Sequence, residues 1–184
     1  MSRLIKSLVF LIISAPTFSV GEVHKNDTEF SFFESKVCKN IEEFRAWDMD
    51  EADLIKCLNK LEQQPNKPNA AIPMLAKSAE SNRIYVEQTG RTETRSFTSR
   101  MHLTAYSLAR NYYGDFHFEL MKYIENAAWA FLDDNDVAKA RELLKKWNLI
   151  GSKNQVDPKV TLYLSGALDF EQTNYHEAAR KFKI

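Results

Sequence analysis

Cys38 and Cys57 are the only cysteines among the 184 residues, and their spacing suits a thiol pair better than a ligand set. The midpoint between them falls at Trp47-Asp48, where two amphipathic patterns meet. In an antiparallel helical hairpin, residues equidistant from the turn face one another, so the spacing predicts a Cys38–Cys57 disulfide. The alternative is two buried thiols acting as small apolar residues. His24, His102, His117 and His176 lack the i, i+4 pairing and flanking carboxylates that a metal would need, so neither metal nor cofactor is expected. Asp133, Asp134 and Asp136 invite a calcium reading, but the glycine turn and closing Glu of such a loop are missing. They read instead as a solvated turn that caps a helix beginning near Val137.

Other reactive types are present without the settings their chemistry requires. Glu42-Glu43 and Asp50-Glu51 fall on helix ends or polar faces, where nothing encloses a general acid–base pair. No serine lies in a nucleophile elbow, and no glycine-rich phosphate loop follows a strand. Arg91, Arg95 and Arg100 gather near a helix boundary and could hold an anionic group, although solubilising charge is their ordinary role. Tyr112, Tyr113, Phe116 and Phe118 could stack on a ligand, but their helical spacing favours packing in a core, and Trp47, Trp129 and Trp147 receive the same assignment.

The first residues are expected to be removed. Arg3 and Lys6 precede the apolar run Leu8 to Ala15, and small residues at Ser19 and Gly21 suit cleavage, so 1–21 reads as a secretory signal peptide. The run is well short of the ~20 residues that span a bilayer. Export to the periplasm or outside the cell would also permit the disulfide. Losing 1–21 takes away two cations and no acid, leaving a formal charge of −2. Such balance favours neither nucleic acid nor an anionic membrane as partner.

Apolar residues step by three and four along most of the remaining chain, which predicts an all-α protein. A first helix carries Phe30, Phe33, Val37, Cys38, Ile41 and Phe44, and a second follows Asp48 with Leu54, Cys57, Leu58 and Leu61. Together they make residues 22–64 a disulfide-linked hairpin. A turn over 63–69 leads to connecting helices in 70–113, one from about Ala71 to Gln88 with Pro73 in its first turn, the other from Ser96 to Tyr113. Residues 114–184 begin with a long helix, Phe116 to Leu132, and a sixth from Val137 to Trp147. Gly151 and Asp157-Pro158 separate these from a last hairpin that turns at Thr173-Asn174.

A repeat emerges in this last part. Ile124, Ala128, Val137, Ala140 and Leu144 stand 38 residues before Leu162, Gly166, Tyr175, Ala178 and Phe182. On these positions 114–184 resembles the tetratricopeptide repeat (TPR) family, over about 60 residues. The spacing exceeds that family's usual 34, and Ser165 and Asp169 stand where larger apolar residues are common. The last unit is expected to be incomplete at Ile184, so that a longer array, a partner or a second copy would cover its open face.

The resemblance implies an α-solenoid whose first helices line a concave docking side, which nominates Glu125, Trp129, Tyr163 and Asp169 as binding residues. The expected role is an exported adaptor or assembly factor for a protein or peptide, without membrane insertion of the mature chain. The alternative is a secreted enzyme or small-ligand protein with a cleft between its N-terminal and repeat halves.

Overall fold

The computed structural model describes residues 35–63, 68–156, 165–169, 177, 178 and 181, all within the unit Ser31–Ile184. The expected signal peptide, the first turns of the first helix at Phe30 and Phe33, and Tyr163, Leu162, Tyr175 and Phe182 lie outside the described residues. Within them the regular elements are α1 (Lys39–Glu42), a 3-10 turn (Ala46–Asp48), α2 (Glu51–Glu62), α3 (Pro68–Thr89), α4 (Arg95–Tyr113), α5 (Leu120–Asp133) and α6 (Val137–Lys153).

Local chemistry accounts for several of the helix ends. Asp50 precedes α2 and accepts from the Asp53 N–H at 2.8 Å, and Asp136 precedes α6 and accepts from the Lys139 N–H at 3.0 Å. Each carboxylate satisfies an N–H that the helix itself leaves unpaired. Gly90 and Gly114 follow α3 and α4 with φ of 71° and 87°, where a side chain would be strained. Because the Asp136 cap serves a single helix start, Asp136→Ala is expected to lower the unfolding free energy by about 1 kcal/mol, read from urea denaturation at pH 7.

Four boundaries differ from the sequence reading. The first helix ends at Glu42, because Phe44 takes a left-handed φ of 58° and the Arg45 N–H returns to the Asn40 carbonyl at 2.7 Å. That reversal places the Phe44 ring 4.4 Å from Lys77 Nζ and lets the 3-10 turn bury Ala46. α3 starts at Pro68, so Pro73 lies beyond the first turn, on an exposed face. α5 starts at Leu120, leaving Phe116 and Phe118 in the connection before it. α6 runs through Gly151, whose missing side chain admits Trp147 and Met121: a Cβ there would meet them at 3.1 and 3.3 Å.

The long helices pack in chain order: α3 on α4, α4 on α5, and α5 on α6. α1 and the 3-10 turn lie on α3, whereas α2 reaches α4. The Cys38–Cys57 disulfide, with Cα atoms 5.6 Å apart, joins these two sides as the spacing predicts. Small residues allow the close approach farther along, since Ala105, Ala109, Ala127, Ala128 and Ala140 are fully enclosed beside Leu120, Ile124 and Leu143. Leu168 belongs to the same core. The result is an all-α fold with solenoid-like packing of successive helices. Among the described residues, no helix is long and apolar enough to cross a membrane.

Candidate functional site

Glu125 and Trp129 lie one turn apart on α5, and both are half-buried. The Trp129 indole N–H donates to the Glu125 carboxyl, which burial nevertheless pushes above the usual carboxylate range. The pair combines a flat apolar surface with an acceptor partly withdrawn from water, a composition suited to a peptide contact. Asp169 has a different setting. It accepts from Lys181 Nζ at 2.5 Å, and the same ammonium donates to Ser165 Oγ at 2.6 Å. The structure thus couples Glu125 with Trp129 and engages Asp169 with the Lys181 ammonium.

The three arginines do not share a target. Arg91 donates to the Tyr85 hydroxyl at 3.0 Å, with Tyr85 stacked on Trp47 at a centroid separation of 4.5 Å. Arg100 bridges α4 to α2 by pairing with Glu51 at 2.5 Å. Arg95 acts on Asp134, which also bonds Ser99. Burial raises the Asp134 carboxyl, and the Ser99 bond and Arg95 oppose that rise.

A buried polar seam between α3 and α4 was not anticipated from residue types. Asn82 is fully enclosed, and its Nδ2 donates to the Thr94 carbonyl at 2.7 Å and to Thr98 Oγ1 at 3.0 Å. One turn back along α3 is Ser78, and one turn onward along α4 is His102, both buried. Among the described residues, the buried side-chain atoms without a hydrogen-bond partner are Ser78 Oγ, Asn82 Oδ1, Thr94 Oγ1 and His102 Nδ1. All four lie on α3, on α4 or at the start of α4. Burial lowers His102 to about 4, assisted by Arg83 and opposed by Glu80. A sequence signal existed: Leu75, Ser78, Ala79, Asn82 and Val86 form one continuous stripe at helical spacing, with two polar members at its centre.

The connection between α4 and α5 departs from its expected core role. Tyr112, Phe116 and Phe118 are 49%, 45% and 55% exposed, so they form surface in place of core. Tyr113, His117 and Phe118 stack in sequence, with centroids 4.9 Å apart at each step. Lys153 Nζ sits 3.2 Å from the Phe116 ring centroid, and Asn154 donates to the Phe116 carbonyl at 3.0 Å. These contacts fasten the connection to the end of α6.

Among the described residues, no group of three or more His, Cys, Asp or Glu side chains could hold a metal ion. His24 and His176 lie outside those residues. In comparisons with known proteins, no family model, no curated protein and no solved structure matches the chain.

Proposed function

We propose that the protein is an exported helical-repeat scaffold that binds another protein or peptide, acting as an adaptor or assembly factor. The observation that carries this reading is the chain-order packing of α3 through α6, in which each long helix is used chiefly against its immediate neighbours. Such an arrangement grows in one dimension and leaves the remaining helix faces as extended surface, the property that repeat proteins use for docking. A TPR-type register over 114–184 is the finer form of the proposal, and it assigns docking to Glu125, Trp129, Tyr163 and Asp169. Trp129 is the anchor in this scheme, because a partly enclosed indole supplies large contact area at little entropic cost. Export rests on the character of residues 1–21 and is supported by the Cys38–Cys57 bridge, which an oxidising compartment maintains.

The test begins with affinity capture of the mature chain from its native compartment, followed by measurement of the captured partner's dissociation constant. Trp129→Ala is expected to weaken binding at least about 10-fold, with Glu125→Ala weakening it less. Unchanged affinity in both folded variants would place docking elsewhere. Recovery of a metabolite and no specific protein would favour the small-ligand reading.

A further inference from the structure

The four unpartnered polar atoms make the α3–α4 contact different in kind from the others. Where α5 meets α6, the enclosed side chains include Leu120, Ile124, Leu143 and Trp147, all apolar bodies that gain by leaving water. Where α3 meets α4, Ser78, Asn82, Thr94 and His102 each bury a polar atom that has no hydrogen-bond partner on the protein. Separation of these two helices would return those atoms to water, which offsets part of the apolar burial lost when this contact opens.

His102 gives the seam a chemical trigger. It is 7% exposed and neutral in place, and its Nδ1 has no acceptor to receive an added proton. The charged groups around it offer no counterion dedicated to an imidazolium. On α3, Glu80 is already held by Arg83 through two hydrogen bonds, and Arg83 itself repels a charged ring. On α2, Glu51 is taken by Arg100. On α5, Asp134 bonds Ser99 and Glu125 receives Trp129. A proton on His102 is therefore far better accommodated once the ring reaches water.

We propose that the α3–α4 contact is an acid-operated joint, in which proton uptake by His102 parts α3 from α4 while the α5–α6 hairpin remains folded. The N-terminal hairpin limits the movement, because α1 lies on α3, α2 lies on α4, and the disulfide ties the two together. Asn82 is the latch: its two bonds, to the Thr94 carbonyl and Thr98 Oγ1, link α3 directly to the start of α4.

Backbone hydrogen exchange on the whole mature protein, corrected for the intrinsic effect of pH, tests the joint. Between pH 7 and pH 4, protection in α3 and α4 is expected to fall on the order of 100-fold relative to α5 and α6. His102→Gln should abolish that selective loss. Protection in α3–α4 that follows α5–α6 at every pH, whether retained or lost together, overturns the proposal, as does a selective loss that persists in His102→Gln. Should that variant fail to fold, the wild-type His102 ring can be titrated by NMR. A midpoint that coincides with the loss of α3–α4 protection supports the joint, and protonation of the ring without that loss overturns it.

Discussion

Removing the Cys38–Cys57 bridge, as the double variant Cys38→Ala, Cys57→Ala, is expected to lower the unfolding free energy by about 3 kcal/mol. The bond closes a loop of 19 residues' separation, so most of its effect in the chain-entropy account falls on the unfolded chain, which regains conformations that the link forbids. The native side of the argument points the same way. α1 has only four residues, far below the length at which a helix holds itself together in water, and its attachment to α2 is covalent through Cys38. Both sulfurs are buried, at 5% and 1% exposure, so alanine also sacrifices some packing. Reduction of the wild-type protein separates these contributions, because it opens the loop and keeps both sulfur atoms. Urea denaturation of the oxidised, reduced and double-alanine forms at pH 7 checks the prediction. A difference below about 1 kcal/mol between oxidised and reduced wild type would show that the hairpin is held by its packing alone.

How much of this architecture was legible depended on whether a residue's type or its neighbours decided its role. The disulfide could be read because hairpin symmetry converts a midpoint into a facing pair. The α6 cap at Asp136 was readable because an acidic turn before an apolar period has few other uses. Phe44 was misleading. Its spacing continues the apolar stripe of the first helix, and a bulky residue gives no signal that its backbone will enter the left-handed region. Gly151 misled in the opposite direction: glycine suggests a break, but here it makes room for Trp147 and Met121 inside an unbroken helix. The aromatic character and spacing of Phe116 and Phe118 predict core positions, whereas the turn after Gly114 delays α5 until Leu120 and leaves them outside.

The proposed docking residues show the same division. Glu125 and Trp129 are placed together by the i, i+4 geometry of one helix, which sequence alone supplies. The environment of Asp169 depends on Lys181, a residue 12 positions away that local helical spacing does not bring beside it. The polar seam lies at the far end of this range. Ser78, Thr94 and Thr98 are ordinary surface types, and only the facing helix turns them into buried groups. The position within the α3 stripe could have identified Asn82, but its two acceptors could be found only after α4 was folded against it.

Replacing Asn82 by Asp should have the other large effect, and its pH dependence carries a sign that can be worked out in advance. The side chain keeps its size but loses the N–H groups that serve the Thr94 carbonyl and Thr98 Oγ1. A carboxylate oxygen would then face the Thr94 carbonyl across a 2.7 Å contact, acceptor against acceptor, in a fully enclosed place. A loss of at least about 3 kcal/mol is expected at pH 7. Burial would raise the pKa of the new carboxyl above its unfolded value near 3.9, so the folded variant favours the protonated acid. Its deficit is accordingly smallest below the unfolded pKa and grows as pH rises through the folded one. The wild-type protein changes in the opposite sense. Folded His102 is lowered to about 4 from 6.5, so the unfolded chain takes up the proton first, and native stability falls as the solution is acidified across that window. Both proteins carry His102, so that loss cancels in the gap between wild type and Asn82→Asp, which follows the new carboxyl alone and should be widest near pH 7 and narrow toward pH 4. Urea denaturation of both proteins at pH 7, 5.5 and 4.5 measures it. A gap that stays within about 1 kcal/mol at every pH would mean that water reaches Asn82 in the native protein and that the α3–α4 contact is already open.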